Sequence, residues 1–225
     1  MSRKLISNSI LFSCFGIMQF VVISVVTMFM YHGGDRFQPE MVGYNFFGSF
    51  LSDLGRFYGF SGASTIDTAI VYGSALALMG IGTIVFFLAH RHLVFNASKW
   101  MKTGATFFGV VAGLGYVGVA LTPWDLVPLE HLVFVFVCFI SFMIACIFMY
   151  LIIKNEEDYP IVYGRIFLYF GIFVCIYVLF LIFGPDSSFP FGRIIQSTGQ
   201  KILVYSQAAL MIVCCLGAYK RTRYE

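Results

Sequence analysis

Charge is scarce in this sequence. Only 11% of its 225 residues are Asp, Glu, Lys or Arg, against 60% hydrophobic residues, and the mean hydropathy is +0.88. A soluble domain of this length needs far more polar surface, because its outside must meet water. The polar/apolar alternation that a transmembrane β-barrel needs over about ten positions is also missing. Phe, Leu, Ile and Val run continuously instead. A net charge of +3, with basic residues at segment ends, excludes a nucleic-acid-binding stripe. No Gly-rich phosphate loop, HExxH helix or nucleophile elbow occurs. The six cysteines (Cys14, Cys138, Cys146, Cys175, Cys214 and Cys215) form no CxxC pair and no Cys/His ligand spacing. That argues against a zinc ribbon or disulfide framework and leaves them as small apolar residues. The vicinal pair Cys214–Cys215 lies near a segment end, a place open to palmitoylation, but nothing in the sequence supports it.

What is present is a set of long apolar runs. A spanning helix needs about 20 mainly apolar residues to cross a hydrocarbon core of about 30 Å. Six stretches qualify, at roughly Ser9–Tyr31, Thr68–Ala89, Thr103–Leu121, Leu132–Ile153, Ile161–Phe183 and Ile202–Tyr219. Helices satisfy their own backbone groups, which lipid cannot do for them. The fold class expected is therefore all-α: a polytopic six-helix transmembrane bundle forming one membrane domain over residues 1–225. The first run resembles a signal peptide after Arg3-Lys4, but from about Ile10 to Met30 it is too long for one, and no small-x-small site follows. We read it as a retained helix.

Lys and Arg set the orientation. With the N-terminus inside, Arg3, Lys4, Arg91, Lys99, Lys102, Lys154, Arg165, Lys220, Arg221 and Arg223 are cytoplasmic. Arg36, Arg56, Arg193 and Lys201 are outside, so the bias favours N-in, C-in. The Asn96-Ala97-Ser98 sequon then falls on the cytoplasmic side, as a chance match. The membrane expected is the plasma (cytoplasmic) membrane.

The longest connection, about residues 32 to 67, mixes aromatic and polar residues from Tyr44 to Arg56. That composition predicts a short interfacial helix, stopped at Gly55 or Gly62. No internal repeat relates the two halves, which disfavours a transporter.

Ionisable residues gather on the outer side. The first connection supplies Asp35, Arg36, Glu40, Asp53, Arg56 and Asp67; the third-to-fourth connection supplies Asp125, Glu130 and His131; Asp186, Arg193 and Lys201 follow. Each also has a structural explanation. Asp53 and Arg56, three apart, suit a local ion pair. Ser64 with Asp67 suits an N-cap and capping-box pair at the second helix. Glu130 suits a helix first turn. Lys201 and Lys220 bracket about 20 residues and suit snorkelling at opposite interfaces. His131 is different, because an imidazole among charges can act as acid, base or ligand near neutral pH. On the sixth helix, Arg193, Ser197, Gln200 and Gln207 fall within about 40° of one line, a polar face serving either as interhelical glue or as a site wall. On the cytoplasmic side, His90-Arg91-His92 and the solvated loop Asn155-Glu156-Glu157-Asp158 form no constellation.

The run Leu51-Ser52-Asp53-Leu54-Gly55-Arg56, with Thr122-Pro123-Trp124-Asp125 and His131, resembles the multi-helix membrane family called domain of unknown function 998. More distantly, the chain is similar to the Frag1/DRAM/Sfk1 membrane proteins. The resemblance covers most of the chain, implies a six-helix bundle and assigns no activity. A likeness to the ceramidase-like zinc hydrolases fails on ligands, since only His32 and His131 lie on the outer face with no helix-spaced His pair, and a three-ligand set would have to be drawn from His131, Asp53 and Asp125. No metal is expected, and no cofactor is named by the sequence.

The expected function is an outer-leaflet pocket for a lipid or small polar ligand, walled by Ser52, Arg56, Arg193, Gln200, Lys201 and Gln207. If it is a lipid-headgroup hydrolase or transferase, His131 is the acid/base and Asp53 or Asp125 orients it. The competing expectation is a non-enzymatic assembly subunit with a protein partner in the membrane; a transporter ranks third. Membrane lipid is the expected partner and nucleic acid is not.

Overall fold

The computed structural model describes residues 1–224. Six α-helices follow one another: α1 (Arg3–Met30), α2 (Ile66–His90), α3 (Lys99–Leu121), α4 (Pro128–Lys154), α5 (Ile161–Phe183) and α6 (Pro190–Tyr224). All six are long and apolar enough to cross a membrane, and no named strand occurs among the described residues. The protein is an integral, multi-pass helical bundle.

Neighbours in sequence are neighbours in space, from α1 against α2 through to α5 against α6, and α6 packs back on α1. The helices thus close a ring, filled by Phe20, Met79, Phe142, Leu203 and Met211 among others. Apolar faces turned outward, such as Phe15, Phe29, Ile172 and Phe183, are exposed in the isolated chain and meet hydrocarbon in a bilayer. Because lipid is as apolar as the core, helix association depends on close packing more than on the hydrophobic effect. The glycines of α3 supply it. A Cβ on Gly113 would lie 2.5 Å from Ile84 and 2.6 Å from the Gly80 carbonyl oxygen, and one on Gly115 would lie 2.8 Å from Cys138. α3 can therefore sit tightly between α2 and α4.

The hydropathy boundaries are right for α5 and short elsewhere. The largest difference is α6, which begins at Pro190, twelve residues before the expected Ile202. Proline suits a first helical position, where its missing N–H costs nothing. The extra turns carry polar residues because they face another part of the chain, not lipid.

That other part is the first connection. Its regular element is one short 3₁₀ helix, η1 (Leu51–Gly55); residues 44–50 are irregular. Gly33 and Gly59 cross so closely that a Cβ on Gly59 would lie 2.3 Å from the Gly33 Cα. The Ser61 amide bonds the Gly33 carbonyl at 3.2 Å. The connection is thereby folded over the end of the ring.

Several local expectations are corrected. The N-cap of α2 is Thr65, not Ser64, and no capping-box bond forms; the Thr65 hydroxyl donates to the Arg56 carbonyl at 2.8 Å. Cys214 and Cys215, by contrast, are buried in the core as the small apolar residues expected. Asn155–Asp158 is not a uniformly solvated loop, since Glu156 is 5% exposed. Its Oε1 accepts from the Asn96 and Ala97 amides at 2.7 and 2.9 Å, and its Oε2 lies 3.6 Å from Arg221 Nη2.

Candidate functional site

At the end of the bundle that carries the first connection, α6 grips that connection residue by residue. Ser197 Oγ donates to the Phe47 carbonyl, Arg193 Nε to the Gly48 carbonyl at 2.7 Å, and Lys201 Nζ to the Ser49 carbonyl. Gln200 Oε1 accepts from the Leu51 amide at 2.7 Å. Arg193 Nη2 reaches Asp53 Oδ2 at 2.6 Å, an ion pair with both side chains about 95% buried. The same Asp53 oxygen accepts from the Phe50 amide at 2.7 Å, which starts η1. Burial pushes the Asp53 carboxyl above the ordinary carboxylate value, against the pull of Arg193, the Phe50 amide, Arg56 and Lys201.

Two sequence-based expectations fail here for one reason. Asp53 pairs with Arg193, 140 residues away, and not with Arg56, because α6 brings a guanidinium into a desolvated site where an unpaired carboxylate is costly. Arg56 instead bonds the Tyr58 carbonyl and covers the Phe60 ring. Lys201 does not open α6 or snorkel. It lies eleven residues inside the helix, 2% exposed, among the Ser49 and Ser197 carbonyls and the rings of Tyr44 and Phe46.

Behind the ion pair lies a cavity of about 430 Å³, bounded by η1, α4, α5 and α6. Its polar wall contains Ser52, Asp53, His131, Arg193, Gln196 and Gln200. Its other wall is hydrocarbon, from Leu132, Phe136, Phe139, Leu181 and Ile182. A narrower void of about 30 Å³ shares Ser52, His131 and Gln200 with it and continues to Tyr72 and Tyr116. Deeper still, the Tyr116 hydroxyl and both amide atoms of the fully buried Gln207 have no partner among the described residues.

His131 is 5% exposed, in the first turn of α4. Its Nδ1 lies 2.6 Å from the Thr122 carbonyl, and Trp124 stands edge-on to its ring. A carbonyl only accepts, so Nδ1 carries the proton and the neutral ring keeps its lone pair on Nε2. The expectation that Asp53 or Asp125 would orient His131 is therefore corrected. Thr122 orients it, while Asp125 accepts from the Phe57 and Tyr58 amides at 3.1 and 2.9 Å. The same placements take Asp53 and Asp125 away from any shared metal set with His131, and among the described residues no three His, Cys, Asp or Glu side chains gather as one.

Of the expected ligand wall, Ser52, Arg193 and Gln200 line the cavity with Asp53 and His131; Arg56, Asp125, Lys201 and Gln207 do not. Gln196 was missed. It stands between Arg193 and Gln200 but about 60° from the line through Arg193 at 100° per residue, so a wider polar face on the same helix would have found it. The fold and site together define a six-helix membrane bundle with an amphipathic cavity at one end. No family model, curated protein or solved structure matches the chain.

Proposed function

We propose that this protein is a binding protein for a membrane amphiphile, holding a polar headgroup against Asp53, Arg193, His131 and Gln200 and the adjoining hydrocarbon against α4 and α5. The observation that carries the reading is the division of one cavity into a polar and an apolar wall at the end of a membrane bundle. Cavities of about 300–1,000 Å³ with a few convergent polar groups are what ligand sites use. We further propose the N-in, C-in orientation from the Lys and Arg bias, which sets the cavity in the outer leaflet of the plasma membrane, with η1 in the interface. The likeness to domain of unknown function 998 belongs to this reading as its family.

Native mass spectrometry of gently extracted protein tests it. A bound amphiphile is expected in the wild type and not in Gln200→Leu or His131→Phe. Equal occupancy in all three, or none in the wild type with a stoichiometric protein partner instead, sinks the reading in favour of an assembly subunit. A second reading, a headgroup hydrolase or transferase, rests on the open lone pair of His131 Nε2 acting as base; it requires turnover of the bound amphiphile that His131→Asn abolishes.

A further inference from the structure

The hydrogen bonds already made at the polar wall fix which atoms are left for a ligand. Gln200 Oε1 accepts from a backbone amide, which only donates, so its orientation is set and Nε2 is a spare donor. Gln196 Nε2 donates to the Pro185 carbonyl at 2.7 Å, which leaves Oε1 as a spare acceptor. His131 donates through Nδ1 and keeps an acceptor at Nε2. Arg193 uses Nε and Nη2 and retains Nη1 as a donor. Asp53 uses Oδ2 twice and retains Oδ1 as an acceptor. The Ser52 hydroxyl has no partner among the described residues and serves either way. Four of these side chains (Asp53, His131, Arg193 and Gln196) are more than nine-tenths buried, so they are built into the wall.

The remaining set is thus balanced: donors at Gln200, Arg193 and Ser52, acceptors at His131, Gln196 and Asp53. The formal charges balance too. Asp53 offsets Arg193 inside, and Asp186 offsets Arg36 at the rim. A phosphate or carboxylate only accepts and would set its oxygens against three acceptors; an ammonium only donates or does neither. A hydroxyl both donates and accepts. Trp124, on the same wall, adds a flat apolar face.

From this pattern of open donors and acceptors, and resting on the amphiphile reading above, we infer that the headgroup bound here is a neutral polyhydroxy group, a sugar or glycerol, carried on a hydrocarbon tail. The test uses four probes on full-length protein in polymer nanodiscs prepared without glycoside detergent. Octyl glucoside, octyl phosphate and octyltrimethylammonium share one tail, and free glucose has none. Binding is read by native mass spectrometry and by the shift in unfolding temperature. Octyl glucoside is expected to bind at least about tenfold more tightly than the other three, the weight of one good hydrogen bond.

His131→Asn keeps an N–H donor for Thr122 but places its Oδ1 where the ring carried Cδ2, so no acceptor remains at the Nε2 position, and Ser52→Ala removes only a hydroxyl. Each is expected to weaken octyl glucoside about tenfold while leaving the ligand-free unfolding temperature in place. Octyl phosphate or octyltrimethylammonium binding most tightly overturns the headgroup class and leaves the amphiphile reading standing. Free glucose matching octyl glucoside overturns the tail and leaves the headgroup standing. No binding by any probe, or full affinity in both variants, overturns the inference altogether.

Discussion

α6 carries a buried arginine near each end, and the two are built alike. Arg193 donates through Nε to the Gly48 carbonyl and pairs with Asp53; Arg221 donates through Nε to the Leu93 carbonyl and pairs with Glu156. Each carboxylate also accepts backbone amides from the segment being fastened. The difference lies in what is left over. Glu156 commits both oxygens, one to Asn96 and Ala97 and the other to Arg221. Asp53 places two bonds on Oδ2 and leaves Oδ1 beside a cavity. A buried ion pair with every acceptor committed is a fastening; one with an acceptor spare on a cavity is a candidate site.

The comparison breaks first under single substitutions. Arg193→Ala strands the buried Asp53 carboxylate and is expected to cost about 3–5 kcal/mol of stability; Glu156→Ala takes the acceptor from the Asn96 and Ala97 amides and is expected to cost about 1–3 kcal/mol, both measured by thermal unfolding in nanodiscs. Only Arg193→Ala should also abolish amphiphile binding. If Glu156→Ala, checked at a temperature where it stays folded, lowers affinity as much, the two ends do not differ as described.

The double variant Asp53→Leu/Arg193→Leu should regain most of the lost stability, to within about 1–2 kcal/mol of wild type, because apolar replacement of both partners removes the desolvation penalty. It should not regain binding. Recovery of both would make the Asp53–Arg193 pair a fastening like Glu156–Arg221.

Acidification gives a smaller effect with a definite sign. The folded-state value of Asp53 is raised, so its contribution to stability is fully present below the unfolded value of about 3.9 and is lost as pH rises through the folded value. Protonation on the way down converts the open Oδ1 acceptor into a donor, or Oδ2 in its place. Affinity for a polyhydroxy headgroup should therefore fall as pH drops toward the carboxylate range, without loss of fold at this group. The difference between wild type and Asp53→Asn isolates this residue from His131, Arg56, Arg193 and Lys201 around it. Parallel pH profiles for the two proteins count against Asp53 as an open acceptor.

The smallest expected effect is at the centre of the ring. Gln207→Leu removes an amide without partners and should be neutral or stabilising by about 1 kcal/mol. A clear loss of stability there would mean that Gln207 holds something, and that the cavity behind Asp53 and Arg193 is not the sole polar site.

Most of the architecture was legible because hydrocarbon imposes one solution on continuous apolar runs. The site was legible as a face: Arg193, Ser197 and Gln200 do share one side of α6. What escaped were pairings across long separations. Arg56 is the local choice for Asp53, and nothing in the sequence says that a cation 140 residues away lies closer. Glu156 read as solvated because its neighbours Glu157 and Asp158 are; its burial depends on how the α2–α3 connection folds against it. Gln196 escaped because it lies about 60° from the line through Arg193, outside the face of about 40° that the sequence picks out on α6.

α6 is also the longest element, and Arg193 and Arg221 are 28 residues apart on it. At about 1.5 Å per residue, that is about 42 Å of unbroken helix, fastened to the rest of the chain near both ends. A helix cannot stretch along its axis without breaking its hydrogen bonds. The separation between the two fastenings therefore acts as a ruler, and the apolar belt of the bundle has a set height. In a bilayer thinner than that height the molecule must lean, or the lipid around it must thicken. On the proposed placement of the cavity in one leaflet, bilayer thickness becomes a physical variable for it, since leaning changes how deeply its mouth sits among the headgroups.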